Sequence, residues 1–280
     1  MLEEVQKLEK KINKSHPHIS NLITKYKLYK DPKSKLILKD YLSKYIEINE
    51  FVSNNQKITK EFLEEYVQKI EDYLSILREN IFFSHQSDLI SSVIPEFFCQ
   101  IYKIKLKEYN LDFIVSGQEN IIIDFQLQHN EKKTILFKEK RVDVVVYKKV
   151  NIKVNNDQLN IVVPIIALEN KVNLDKNMIY GIINTSHSIK KIFPNSLYCL
   201  ITEFADLNLK SQNFKYSDID EIYILRKQKR SEFRLKKRVN KIDVSLIEHN
   251  IKLFEDKISM TQVNDLSLED KMKQYGKLII

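Results

Sequence analysis

Glycine is the scarcest informative residue in this 280-residue chain: there are three, Gly117, Gly181 and Gly276, no two of them within 60 residues of each other. Glycine-loop phosphate sites need closely spaced residues without a Cβ, so P-loop ATPases, kinases and dinucleotide-binding oxidoreductases are excluded together. Cysteine is nearly as scarce. Cys99 and Cys199 stand 100 residues apart, which leaves neither a disulfide framework nor a C-x-x-C metal knuckle and points to a reducing compartment. Long apolar runs are missing too: the longest, Ile161 to Leu168, is eight residues including Pro164, and the first residues, Met1-Leu2-Glu3-Glu4-Val5, are acidic where a signal peptide is basic. Neither a secretory signal nor a membrane span is expected, and a cytoplasmic protein is.

What is present is a globular composition, 43% hydrophobic and 30% charged, with a net charge of +8. That charge is concentrated. Residues 226–238 carry eight basic side chains (Arg226, Lys227, Lys229, Arg230, Arg234, Lys236, Lys237, Arg238) against one acid, a net +7 that leaves +1 for the rest of the chain. Two readings are open: a solvated charged face, or a phosphate-contact surface on nucleic acid. Half of the eight are Arg, the residue suited to bidentate phosphate contact.

The first 80 residues read as amphipathic helices broken near His16-Pro17, Asp31-Pro32 and Ser53-Asn54-Asn55. The clearest stripe is Leu63, Tyr66, Val67, Ile70, Tyr73, Leu74 and Leu77, with Thr59 as its N-cap. Asp88–Glu108 predicts another helix, kinked or restarted at Pro95. After Asn110, β-branched and aromatic runs predict strands at 111–115, 120–126, 133–137, 141–147, 150–154 and 159–169. Helical spacing returns from Lys176 to Phe193 behind Asp175 as N-cap, followed by strands at 197–201 and 221–225 and a helix around Val244–Lys257. The expected architecture is α/β, a mixed sheet flanked by helices and preceded by a helical region, divided as 1–80, 81–225 and 226–280.

Two charged intrusions into apolar strands carry the chemistry. One is Asp143 within Arg141-Val142-Asp143-Val144-Val145-Val146-Tyr147; the other is Glu169-Asn170-Lys171, closing the run from Val163. Side chains alternate along a strand, so Glu169 and Lys171 share a face roughly 6.5–7 Å apart. If the two strands are neighbours, an acid from each converges on one point. Two carboxylates suit Mg²⁺, which keeps exchangeable waters for a phosphate substrate, and Lys171 can position or help deprotonate a water. Phosphodiester hydrolysis fits this set.

Asp143, then Glu169-Asn170-Lys171 at the end of an apolar strand with a helix after it, resembles the PD-(D/E)XK nuclease superfamily. Val142 stands where the family name has proline, at a position that varies in the family. The 26 residues from Asp143 to Glu169 exceed a tight hairpin and imply an extension or extra strand at Val150–Asn160. The runs Ser87–Phe97 and Leu168–Met178 look like type II restriction endonucleases, in particular the group that cuts interrupted CTNAG-type sites, some of whose members pair two related subunits. The resemblance covers about residues 84–205.

It implies a restriction-endonuclease-like core in which Asp143, Glu169 and the backbone carbonyl of Asn170 bind Mg²⁺ while Lys171 orients the nucleophilic water. It also implies double-stranded DNA as substrate, a homodimer or a heterodimer with a related subunit, no membrane partner, and a cognate DNA methyltransferase in the same system. Glu96, on the helix expected to face the sheet, is the candidate for an acid that supports the metal site; an exposed helix glutamate beside Pro95 is the alternative. The rival functions are a structure-specific repair or junction nuclease on the same fold, and a non-catalytic DNA-binding protein. Elsewhere, His16-Pro17-His18 reads as a short exposed turn before a metal site, His187 as packed or solvent-facing, Ser84-His85 as lacking any triad context, and most of the 14 Tyr and 14 Phe as core.

Overall fold

The computed structural model describes residues 12–79, 88–127, 135–154, 157–207, 214, 216–236, 238–264 and 268–275. Ser84-His85, Gly276 and Lys237 lie outside them. The N-terminal helical layer consists of α1 (Pro17–Leu28), α2 (Pro32–Ser53) and α3 (Lys60–Glu79). Local chemistry explains the starts of α2 and α3. Asp31 accepts a hydrogen bond from the Ser34 amide while Pro32 occupies the first turn, where its missing N–H costs nothing; Thr59 Oγ1 accepts from the Phe62 amide at the head of α3. The whole stripe from Leu63 to Leu77 is buried.

A short α4 (Asp88–Ser91) is followed by α5 (Val93–Glu108). The restart falls at Ser92, and Pro95 sits within the first turn of α5, so no interior hydrogen bond is lost. Every residue from Val93 to Tyr102 is buried, the signature of a helix packed on all sides. One side meets the N-terminal helices and the other meets the sheet.

The sheet has the order β1 (Ile114–Leu127), β2 (Ile135–Val154), β3 (Asp157–Leu174), β4 (Leu197–Ala205), β5 (Glu221–Ile224). β1, β2 and β3 are antiparallel neighbours, whereas β3, β4 and β5 run parallel. The parallel step from β3 to β4 is made by α6 (Lys176–Ile192), whose first amides at Asn177 and Met178 donate to the predicted cap Asp175. All nine residues of β4 are buried, as expected for a central strand covered on both faces.

The six strands expected between 111 and 169 are three long ones. Lys148 and Lys149 looked like a break, yet they pair with Val163 and Val162. Pairing uses the backbone, so exposed charged side chains on a solvated part of the hairpin do not interrupt it. The implied extension at Val150–Asn160 is the far end of this β2–β3 hairpin, paired out to Val154↔Asp157.

Each sheet face has its own core. Val144, Val146, Ile166, Leu168, Cys199 and Ile201 pack with α5, the N-terminal helices and α8 (Val244–Asn264). Val145, Ala167, Tyr198 and Leu200 pack with Ile179, Ile182 and Ile189 of α6. α8 is fixed to α5 by the Tyr102 hydroxyl, which donates to Asn250 Oδ1 at 2.8 Å, and by the stacked Tyr102 and Phe254 rings. Two further helices, α7 (Arg230–Lys236) and α9 (Leu268–Tyr275), complete the described chain. Both cysteines are buried free thiols.

Gly117 has a specific task. Its amide donates to the Lys14 carbonyl at 2.7 Å, and a Cβ there would lie 3.0 Å from both that oxygen and Pro17 Cγ. The segment entering α1 is thereby laid directly on β1, and Lys14 Nζ pairs with Glu119 at 2.8 Å beside it.

Candidate active site

The β2–β3 ladder brings the two predicted acids together. Its regular pairing includes Val145↔Ala167 and Val144↔Leu168; one step further the register sets Asp143 level with Glu169. There the ladder gives way. Asp143 Oδ2 accepts the backbone N–H of Asn170 at 2.8 Å. On the β1 side Gln118, level with Asp143 between the pairs Gly117↔Val144 and Glu119↔Val142, is itself unpaired and has φ 55°. A non-glycine residue with positive φ is uncommon and marks local constraint. The opening is a cleft of about 400 Å³ whose walls include Asn21, Ser91, Gln118, Arg141, Asp143 and Lys171.

Within it Lys171 Nζ lies 2.6 Å from Glu169 Oε1, and Asn170 Nδ2 donates to the Ser91 carbonyl at 3.2 Å. Burial, then the neighbouring Glu169 charge, pushes Asp143 up to about 6, against the pull of Lys171, the Asn170 amide and Arg141. Burial alone would lower the Lys171 pKa, but Glu169 and Asp143 outweigh it and the pKa is raised. Lys171 is therefore a cation here, suited to orienting a water or holding a phosphate oxygen rather than to removing a proton.

Three buried oxygens near this point have no hydrogen-bond partner among the described residues: Glu169 Oε2, Asn170 Oδ1 and the Tyr198 hydroxyl. Unsatisfied buried polar atoms cost about 1–3 kcal/mol each and call for an explanation. Tyr198 pairs with Ala167 in the β3–β4 ladder, two residues before Glu169; burial, then the two carboxylates, raises its pKa. Oxygen-rich and acidic, the donor set fits a hard divalent cation that retains waters. Among the described residues there is no cluster of three or more His, Cys, Asp or Glu side chains able to hold a metal ion.

Glu96 is not brought to that pair, nor is it exposed. It is fully buried and caps α1, accepting the backbone N–H of His18 at 2.7 Å and of Ile19 at 3.1 Å. A carboxylate at a helix N-terminus meets free amides and the positive end of the dipole. The His16-Pro17-His18 segment is correspondingly no exposed turn: His18 is buried, its ring nitrogens bonded to the Ser92 and Tyr73 hydroxyls at 2.9 and 2.8 Å.

This pair has opposing effects on stability. Burial lowers His18 to about 3, so the unfolded chain binds the extra proton, and its contribution is lost as pH falls from about 6.5 toward 3. Burial raises Glu96 to about 8, so the folded chain binds the extra proton, and stability falls as pH rises from about 4.5 through 8. Between pH 6.5 and 8 Glu96 acts without His18. The urea midpoint should decline across that window in the native protein and stay level in Glu96→Gln; an equal decline in both would refute the assignment.

The basic segment is divided by the fold. Arg226 is 3% exposed and not available to DNA: Nε lies 2.9 Å from Glu203 Oε2 and Nη1 2.9 Å from Glu71 Oε1. Its charge is spent inside the protein, between the buried Glu203 and the half-buried Glu71. Lys227 is ion-paired with Asp243. Lys229, Arg234 and Arg238 are exposed and Arg230 is half-buried. The segment begins level with the Glu169-Asn170-Lys171 motif, since the Leu225 amide donates to the Thr202 carbonyl and Thr202 pairs with Lys171. His187 is solvent-facing, paired with Asp218.

Sequence reasoning missed the roles of Gln118 and Asn21. No local signal marks either one; the break in the β1–β2 pairing and the docking of α1 bring them to the cleft.

With this geometry in place, comparison with known proteins becomes informative. The sequence description of the Bpu10I restriction endonuclease matches residues 86–264, well over half of the chain and all of the acid-bearing sheet. Among solved structures, one described as the native BbvCI A2B2 tetramer at low resolution superposes with a TM-score of 0.70 at 24% identity, over 89% of this chain and 98% of that one. No curated protein matches. The solved structure agrees in fold, with its mixed sheet and flanking helices. Restriction endonucleases of this kind generally use a divalent metal. The chain belongs to the Bpu10I restriction endonuclease family and is a type II restriction endonuclease, a site-specific deoxyribonuclease.

Proposed function

We propose that Asp143, Glu169 and the backbone carbonyl of Asn170 hold Mg²⁺ and that Lys171 orients the water that attacks the DNA phosphodiester. The observation that carries this reading is the meeting of two carboxylates where the ladder opens, with Glu169 Oε2 buried and unpartnered. A bound Mg²⁺ would polarise a phosphodiester oxygen and lower the pKa of a coordinated water. Asn170 N–H fixes the Asp143 carboxylate, Lys171 holds Glu169 in place, and the ammonium supplies positive charge where the reacting phosphate becomes more negative.

One such site cuts one strand, so cutting duplex DNA takes two chains, as a homodimer or with a related subunit. The solved relative is named as an A2B2 tetramer, which favours such an assembly. Lys229, Arg230, Arg234 and Arg238 supply phosphate contacts near the site. The protein acts in the cytoplasm beside a methyltransferase that protects the host's own sites; among the described residues no helix is long and apolar enough to cross a membrane.

Incubated with duplex DNA and Mg²⁺, alone and with a related second subunit, the protein yields a fixed set of fragments, and EDTA stops the reaction. Cleavage undiminished by EDTA overturns the metal assignment. Fragments that follow DNA structure rather than sequence favour the structure-specific nuclease instead.

A further inference from the structure

Beyond Val144↔Leu168, where the β2–β3 ladder ends, β2 carries Arg141 two residues from Asp143 and β3 carries Lys171 two residues from Glu169. Each strand thus offers one carboxylate and one cation on a single face, and Arg141, Asp143 and Lys171 all line the same cleft. The two cations are differently employed. Lys171 Nζ is committed to Glu169 at 2.6 Å with its side chain 31% exposed. Arg141 is exposed, and among the described residues no carboxylate lies within ion-pair distance of its guanidinium. We infer that Arg141 is a substrate-binding residue that grips a phosphate of the DNA strand entering the cleft.

Three physical points support this. A DNA phosphate approaching Asp143 and Glu169 meets two acids, and Lys171 alone is already neutralised by one of them; a second cation, with no ion-pair partner among the described residues, offsets the repulsion. The guanidinium offers five donors in a planar fork that matches two phosphate oxygens, which an ammonium cannot do. The position is also rigid, because Arg141 lies within β2 and is paired with Asn120 of β1, so the fork is carried on a paired strand and not on a loop. Lys140, its neighbour, is equally exposed but does not line the cleft, and it serves as a control for charge alone.

This inference rests on the hydrolytic reading above, and the experiment separates the two. DNA binding is measured with Ca²⁺ in place of Mg²⁺ across a salt series, and single-turnover cleavage is measured with Mg²⁺ at saturating DNA. Arg141→Ala and Arg141→Gln should each reduce the slope of log affinity against log salt by about one, the loss of one phosphate contact, equally on specific and unrelated DNA. Arg141→Lys should restore the slope. Cleavage at saturation should fall about tenfold or more in the Ala and Gln variants, because a misplaced phosphate reacts slowly, and should stay native in Lys140→Ala. A native slope and native cleavage in Arg141→Gln overturn the inference while leaving the hydrolytic reading intact. A native protein that cuts no DNA under any condition overturns the hydrolytic reading itself.

Discussion

Lys171→Ala should cut DNA about 10²–10⁴-fold more slowly than the native protein, the range typical of removing a positioned proton-handling or water-orienting group, while still binding DNA. Binding survives because Lys171 is half-buried and already paired with Glu169, so it adds little to the phosphate contacts that hold the duplex. The rate does not survive, because the side chain does two things at once. It holds one oxygen of Glu169, leaving the other free for a ligand, and it is the cation next to the position a reacting phosphate would occupy. Removing it leaves only the Asn170 amide and Arg141 to offset Glu169 and Asp143 facing each other. Burial and that same repulsion already lift Asp143 to about 6 with Lys171 in place. Single-turnover cleavage and a binding titration with Ca²⁺ on the same preparation test both halves. Cleavage at the native rate would remove Lys171, and with it the assignment of the site, from consideration.

The largest effect on stability should come from Arg226. Arg78, Glu203, Arg226 and Glu71 form one network joining α3, β4 and the segment after β5: Arg78 Nη2 lies 2.6 Å from Glu203, and Arg226 bridges Glu203 to Glu71 and donates to the Asn240 carbonyl at 2.6 Å. Glu203 is 1% exposed. Burial would push its pKa up, but Arg78 and Arg226 outweigh that and hold it down. Arg226→Ala leaves this carboxylate with half its compensation in a site water does not reach, and removing one partner of a buried ion pair costs about 3–5 kcal/mol. Thermal and urea unfolding should show it. A variant with native stability and weakened DNA binding would instead return Arg226 to the phosphate-contact role that its place in a basic run suggests.

Arg226 also shows where sequence reasoning stops. As one of eight basic residues within 13 positions it is indistinguishable from Lys229 or Arg234, yet the structure buries it and leaves those two exposed. Its partners, Glu71 and Glu203, lie 155 and 23 residues away. Glu96 repeats the lesson. A glutamate on an apolar helix reads as a metal-site acid or as a solvated residue, and its actual role is to cap a helix through the amide of His18, 78 residues earlier. Neither partner leaves a trace in local spacing.

What the sequence determined by itself is whatever depends on neighbours a few residues apart. The burial stripe of α3, the caps at Thr59 and Asp175, and the alternation that puts Glu169 and Lys171 on one face follow from helical and strand periods and from the reach of a short side chain. Asp143 and Glu169 were legible for the same reason, as charges that interrupt apolar strands. Tertiary structure decided the rest: that six short strands are three long ones, that Gln118 opens the ladder beside Asp143, that Glu96 and Arg226 are spent inside the fold, and that Arg141 is not. An ionisable group's role depends on which charges and amides surround it after folding, and those come from anywhere along the chain.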